Sequence, residues 1–233
     1  MKSLSGPVVA FYASSIGKKI IVAVTGIALL GFLFGHMVGN LKIFLGPDKL
    51  NDYAAWLHSM PVLLWVARLG LLGAFVLHIV TTIALVIQNR EARDERYECQ
   101  TTVQATGSSR IMIISGSIIL CFVIFHILHF TVQVAFGYND PVGDYFLPNG
   151  DHDVRKMVIH SFSEVPAISL FYIFSMALLC SHLSHGVASV FQTLGLRTER
   201  SWPLIRGLGY GYAALIFFGN ISIPIAAMAG WLK

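Results

Sequence analysis

Charge is scarce in this chain. Of 233 residues only 12% are Asp, Glu, Lys or Arg and 55% are hydrophobic, with a mean hydropathy of +0.70. That balance excludes an ordinary soluble domain, where about a quarter of residues are charged. Cysteine is almost absent: Cys99, Cys121 and Cys180 show no metal-type spacing and no Cys-x-x-Cys-His run, which excludes covalent c-type haem. Cys121 and Cys180 lie in apolar segments and read as small apolar filler. Alternation of apolar and polar residues is missing, which excludes a membrane β-barrel. The first seventeen residues, with Met1-Lys2 and a polar stretch from Ser3 to Pro7, lack the apolar core and small-residue site of a cleavable signal.

What the chain does have is long apolar runs. Five of them, near 20–45, 62–88, 111–136, 166–192 and 205–231, can each cross a hydrocarbon core of about 30 Å. Backbone groups in lipid must be satisfied within the segment, so these are helices. The expectation is an all-α integral membrane protein, a five-helix bundle forming a single membrane domain over 1–233. Residues 1–19 form an interfacial N-terminal segment, with 8–17 leading into the first helix. Loops 46–61 and 137–161 carry turn clusters such as Asn139-Asp140-Pro141 and Pro148-Asn149-Gly150 and cap the bundle. Loop 89–110 is polar and large enough to meet a partner. No segment can fold into a separate catalytic domain.

Lys and Arg set the orientation. One side of the membrane takes Lys2, Lys18, Lys19, Arg90, Arg93, Arg96, Arg110, Arg197, Arg200 and Arg206. The other takes Lys42, Lys49, Arg155, Lys156 and Lys233, with Arg68 at a helix edge. This asymmetry puts the N-terminus inside and the C-terminus outside. Asp48, Asp52, Asp140, Asp144, Asp151, Asp153 and Glu164 fall outside. The net charge of +4 is thus a topology signal, not a footprint for nucleic acid.

Within the apolar runs one pattern occurs twice: Thr25-Gly26-x9-His36 followed by His78-x9-Gln88, then Ser115-Gly116-x9-His126 followed by His182-x9-Gln192. An ionisable side chain at bilayer depth is costly and points to function. At 1.5 Å per residue, His36 beyond Lys19 and His126 beyond Arg110 both lie about 24 Å from the inner surface. His78 and His182 each precede their glutamine by about 15 Å. The four residues therefore form an outer pair, His36 with His126, and an inner pair, His78 with His182. Eleven helical residues turn through about 1100°, close to three full turns, so Thr25 and Ser115 share the faces of His36 and His126 at the depth of the inner pair. There their hydroxyls can meet a haem edge or propionate, and Gly26 and Gly116 clear space for a porphyrin plane. Gly31, Gly35 and Gly39 continue a small-residue ladder that suits either a cofactor or close helix packing.

His129 and His185 are rivals for the ligand role, each three residues beyond a chosen histidine. The repeated spacing selects His126 and His182, leaving His129 and His185 to touch propionates or pack beside the ring. His58, His152 and His160 lie in or beside outer loops and are expected to be solvated. Two histidines per iron fill both axial positions, and such an iron carries electrons rather than binding substrate. Two stacked b haems would make the chain a transmembrane electron path whose lipid-soluble end is a quinone.

The runs Ser14-Ser15-Ile16-Gly17-Lys18-Lys19, Thr25-Gly26, His36-x2-Gly39-Asn40-Leu41 and His182-x2-His185-Gly186-x2-Ser189-x2-Gln192-x2-Gly195 resemble the di-haem cytochrome b subunit of succinate:quinone oxidoreductases and fumarate reductases. The likeness spans essentially the whole chain. It implies a multi-pass subunit of the bacterial cytoplasmic membrane that anchors a flavoprotein with FAD and an iron–sulfur subunit on the cytoplasmic face. Two non-covalent b haems would pass electrons between that face and menaquinone or another quinone. The distal haem would take His36 and His126 and the proximal haem His78 and His182, with propionate contacts on Lys18, Lys19, Thr25 and Ser115. Dicarboxylate chemistry would belong to the partners, and no catalytic residue is assigned here. One departure stands out: beside His182 there is no carboxylate but Cys180 and Ser181, which argues against a proton path through an acid on that helix.

The family's quinone site tends to lie near the outer haem, where Asn40, Asn51, Asp52, His58 and Arg68 are polar candidates. A site near Ser14, Ser15 and Lys18 is the inner alternative. Two other classes compete. A di-haem anchor of a hydrogenase, formate dehydrogenase or nitrate reductase would also pair histidines, yet lacks the Ser-Ser-Ile-Gly-Lys-Lys and His-Gly-x2-Ser-x2-Gln runs. A metal or proton transporter would gather its ligands near one midplane locus rather than at two levels.

Overall fold

The computed structural model describes residues 6–92, 107, 111–134, 137–140 and 144–232. Lys2, Arg93, Arg96, Arg110, Lys233, Cys99, Pro141, most of loop 89–110 and the end of the expected third span (135–136) lie outside the described residues. About 80% of the chain's described part is helical and none of it forms a strand. In chain order the elements are α1 (Pro7–Ala13), α2 (Ser15–Asn40) with a 3-10 turn at Leu41–Phe44, α3 (Lys49–His58) and α4 (Pro61–Glu91). Then follow α5 (Met112–His126) running into a π-helical turn at Ile127–Thr131, α6 (Val154–Ser163), α7 (Pro166–Thr193) and α8 (Trp202–Met228).

Five helices are long and apolar enough to span a membrane: Ser15–Phe44, Pro61–Glu91, Met112–Thr131, Pro166–Thr193 and Trp202–Met228. Their outer faces carry exposed Leu63, Val66, Leu69, Leu72, Phe174, Leu215 and Phe218. Apolar surface on that scale is incompatible with water and natural in lipid, so the chain is a multi-pass membrane protein. Helix starts follow local chemistry. Pro7, Pro61 and Pro166 open α1, α4 and α7, where a missing N–H costs nothing.

The spans do not pack as an even ring. α2 lies along α4, while α7 is sandwiched between α5 and α8, and α2 also touches α7 and α8. The α7–α8 seam is close because Gly209 lacks a side chain: a Cβ there would stand 2.9 Å from the Ser184 carbonyl oxygen. The Tyr212 hydroxyl donates to the Leu30 carbonyl at 2.6 Å, tying α8 to α2. Neither α4 with α7 nor α2 with α5 packs closely along its length.

The end of the bundle away from the N-terminus is capped. Sequence expectation there was turn clusters; the structure places two ten-residue helices in those loops, α3 and α6. Each hides one apolar face under polar residues, Leu50 on α3 and Met157 with Phe162 on α6, which is what a short surface helix needs to fold. Asn51 clamps them: its amide donates to Asp153 Oδ1 at 2.9 Å, and its carbonyl oxygen accepts from the Arg155 backbone at 3.0 Å. His58 is exposed as expected, whereas His152 and His160 are only half-exposed and bury their Nδ1 atoms. That corrects the solvated reading: His152, just before α6, packs on Phe146, and His160 of α6 packs on Tyr145. Cys121 is exposed on α5 and Cys180 half-buried on α7.

Candidate functional site

The run Ser14 to Lys19 is a helix junction. The Ser14 hydroxyl caps α2 by accepting from the Gly17 backbone N–H at 2.9 Å and donates to the Phe11 carbonyl at 2.7 Å. Gly17 is needed because that carbonyl occupies the place of a Cβ. Lys18 is buried, and its ammonium donates to the Ala13 carbonyl and to Gln88 Oε1, both at 3.0 Å. The repeat's second glutamine is engaged similarly: Gln192 Oε1 accepts from Arg197 at 3.0 Å. Lys19 is exposed.

Nearer the N-terminal end, Thr25-Gly26 of α2 meets His78 of α4, and Ser115-Gly116 of α5 meets His182 of α7. The Thr25 hydroxyl stands 3.1 Å from His78 Nδ1 and the Ser115 hydroxyl 3.3 Å from His182 Nδ1. A Cβ added to Gly26 or to Gly116 would lie 3.6 Å from the Cε1 of the facing histidine, so bare backbone faces each imidazole in the same way. Spacing places these hydroxyls at the depth of a cofactor edge; in the structure each also stands beside a ring nitrogen.

Proton counting sets the direction of these bonds. A threonine hydroxyl has one proton to give, and that of Thr25 goes to the Ile21 carbonyl at 2.7 Å. Its lone pair then accepts from His78 Nδ1–H. The Ser115 hydroxyl likewise donates to the Met112 carbonyl at 3.2 Å and accepts from His182 Nδ1–H. Both rings are left with a bare Nε2, the form in which a neutral histidine binds a metal.

Near the capped end, His36 of α2 faces His126 of α5 with ring centres 5.7 Å apart and planes at 87°. Phe32 stacks on His36 at 5.3 Å and Phe122 on His126 at 5.8 Å. The Tyr172 hydroxyl of α7 lies 3.2 Å from His126 Nδ1 and 3.0 Å from His129 Nδ1. His129 is fully buried, with Nε2 3.1 Å from the Ser161 hydroxyl. Ser161 donates to the Met157 carbonyl at 2.7 Å and is also hydrogen-bonded to Tyr138. Burial holds the Tyr138 phenol protonated above its ordinary range.

The π-helical turn begins immediately after His126, and Gln133, with φ of 61°, reaches Met157 Sδ at 3.8 Å. Such irregularities concentrate where a side chain must be aimed. Both ring nitrogens of the rival His129 are engaged, and the Nε2 of the other, His185, lies 3.1 Å from the Ser189 hydroxyl. Tyr172, Ser161 and Tyr138 escape sequence reasoning. They belong to no repeat, and their meeting depends on the cap's folding.

The outer polar candidates each have a local setting. Asn51 is the cap clamp, and Asp52 is ion-paired to Lys49 at 3.2 Å. Arg68 stacks on Trp65 at 5.3 Å, and Asn40 ends α2. In the glycine ladder a Cβ at Gly31 or Gly35 would meet nothing within 4 Å, whereas Gly39 seats the Tyr53 ring. Among the described residues no three His, Cys, Asp or Glu side chains converge. No protein-family model, curated protein or solved structure matches the chain.

Proposed function

We propose that the chain is the di-haem cytochrome b subunit anchoring a succinate:quinone oxidoreductase or quinol:fumarate reductase in a bacterial cytoplasmic membrane. His36 and His126 are the axial ligands of one b haem, and His78 and His182 those of the other. The observation that carries this reading is the arrangement of the inner pair. Two copies of a hydroxyl-glycine unit each hold the Nδ1 of a membrane histidine and leave its Nε2 bare, which is how proteins prepare an imidazole ligand.

The residues fit the group in three further ways. Each histidine pair joins helices that do not pack on one another, α4 with α7 and α2 with α5, so a flat ligand has a slot to enter. Bare backbone at Gly26 and Gly116 faces the inner rings, and Phe32 and Phe122 stack on His36 and His126. Thr81, one turn beyond His78, is fully buried with its hydroxyl unpartnered, a group for an incoming ligand to satisfy. When bound, each bis-histidine haem supplies reversible one-electron transfer with no open coordination position. Thr25 and Ser115 hold the inner ligands in one tautomer, and the apolar spans keep water from the path.

In this reading the N-terminal end, with Lys19, Arg197 and Arg206, faces the cytoplasm and receives the iron–sulfur and FAD-bearing flavoprotein subunits. Menaquinone or another quinone reacts toward the capped end. Purified protein should show two b-type components in its reduced-minus-oxidised spectrum and bring down both partner subunits. No haem absorption would overturn the cytochrome. A haem-loaded chain that purifies alone with full activity toward another donor would overturn the complex.

A further inference from the structure

Five groups near the capped end form an unbroken hydrogen-bonded chain: His126, Tyr172, His129, Ser161 and Tyr138. Its direction follows from its fixed end. A backbone carbonyl can only accept, and the Met157 oxygen takes the Ser161 proton at 2.7 Å. Ser161 has no second proton, so toward His129 it can only accept, and His129 Nε2 is the N–H donor at 3.1 Å. A neutral imidazole has one N–H, so His129 Nδ1 is bare and accepts the Tyr172 proton at 3.0 Å. Tyr172, its proton committed, accepts from His126 Nδ1–H at 3.2 Å. His126 is thereby left with Nε2 bare on the side of His36.

We infer that Tyr172 is the positioning residue of the capped-end pair, fixing the tautomer and ring angle of His126, with His129, Ser161 and Tyr138 acting through it from the cap. The inference rests on the haem reading and adds a dependence that reading does not contain: the ligand geometry of one level is set by α6 and Tyr138. His129 is then a strut rather than a spare ligand. Its two nitrogens must be a donor on one side and an acceptor on the other, a requirement that no apolar ring and no amine meets. Ser161 matters because its proton is anchored on Met157, and the hydroxyl of Thr could do the same.

The test is made on the full-length protein purified with its haems, by low-temperature electron paramagnetic resonance and optical spectra, which report ligand-plane angles separately for two low-spin haems. Tyr172→Phe should keep both haems, shift the signal of one, leave the other in place, and raise the dissociation rate of the shifted haem about tenfold. Ser161→Ala and His129→Phe should shift the same signal in the same direction by less. Adding Ser161→Ala to Tyr172→Phe should produce no further shift, because it acts through the same hydroxyl. Ser161→Thr should restore the wild-type signal. If Tyr172→Phe leaves both signals unmoved, or if the Ser161→Ala and Tyr172→Phe shifts add, the positioning role is wrong although the haem reading stands. Should Tyr172→Phe fail to accumulate, Ser161→Ala and Ser161→Thr carry the test: an unmoved signal in Ser161→Ala is equally fatal. Wild-type protein without haem would overturn the underlying reading as well.

Discussion

The two histidine levels are built by different means. At the level nearer the N-terminus, each ring is held by one hydroxyl from the repeat itself, Thr25 on His78 and Ser115 on His182, on regular α-helix. At the capped level the repeat provides no holder. His126 is held by Tyr172, and the chain behind it runs through a π-helical turn into the cap. Among the described residues no hydroxyl holds His36, which rests on Phe32 and faces His126. A duplicated sequence thus yields a symmetric inner pair and an asymmetric outer one, because only the inner pair's supports lie within the duplicated unit.

The largest expected effect breaks the comparison outright. If the chain holds two haems as proposed, His126→Ala or His36→Ala should remove one and spare the other, and His182→Ala should remove the one they spare. Haem content measured against protein should halve in each case. His129→Ala and His185→Ala should keep both haems, since both nitrogens of His129 and the Nε2 of His185 are engaged elsewhere. Loss of both haems from a single substitution would mean that the two levels are not independent.

A smaller effect sharpens the difference in supports. Thr25→Val keeps the shape of the side chain and deletes the acceptor on His78, and should speed loss of the inner haem about tenfold, followed by transfer to an external haem-binding protein. Ser115→Ala should do less, because its bond to His182 is longer, 3.3 Å against 3.1 Å. Neither should alter the haem at the capped level.

This contrast also explains what sequence alone could convey. The five spans are legible because hydropathy and length are properties of contiguous residues. So are the spacings that put Thr25 with His78 and Ser115 with His182 at one depth. What spacing could not settle is the partner of each hydroxyl, because a helix gives the depth and face of a side chain but not the angle of the neighbouring helix. Tyr172, Ser161 and Tyr138 were illegible for a stronger reason. They lie on α7, on α6 and in the segment before it, and they meet only because α6 folds back over the bundle. The cap helices themselves were hidden by polar residues that also suit turns.

A third prediction asks whether the cap serves the level beneath it. Asn51→Ala removes two hydrogen bonds between α3 and α6, each contributing about 1 kcal/mol, so the cap should loosen by about 2 kcal/mol. Heating in detergent while both haem bands are followed should then release the capped-level haem at a lower temperature than in wild type. The inner haem should leave where it did before. If both bands shift together, the cap stabilises the whole bundle rather than one level.

The weakest handle on the capped level is the ion pair Lys156–Asp144, 2.6 Å apart, which lies beside Tyr145. The hydrogen bond from Lys156 and its charge hold the Asp144 carboxyl below the usual carboxylate range. The same bond to Asp144 raises Lys156 above its ordinary value. The carboxyl contribution is therefore present above the ordinary carboxylate pKa of about 4 and lost as pH falls through the lower folded value. The ammonium contribution is present below about 10 and lost as pH rises through the higher folded value. Both side chains are solvent-exposed, 45% and 94%, so the pair is screened and its effect small. Lys156→Ala should lower the release temperature of the capped-level haem slightly between those limits, and its curve should merge with wild type in acid and in strong base. A loss equal to that of Asn51→Ala at neutral pH would show that the 144–153 segment holds the cap over Tyr138 and the chain leading to His126 as firmly as the α3–α6 clamp does.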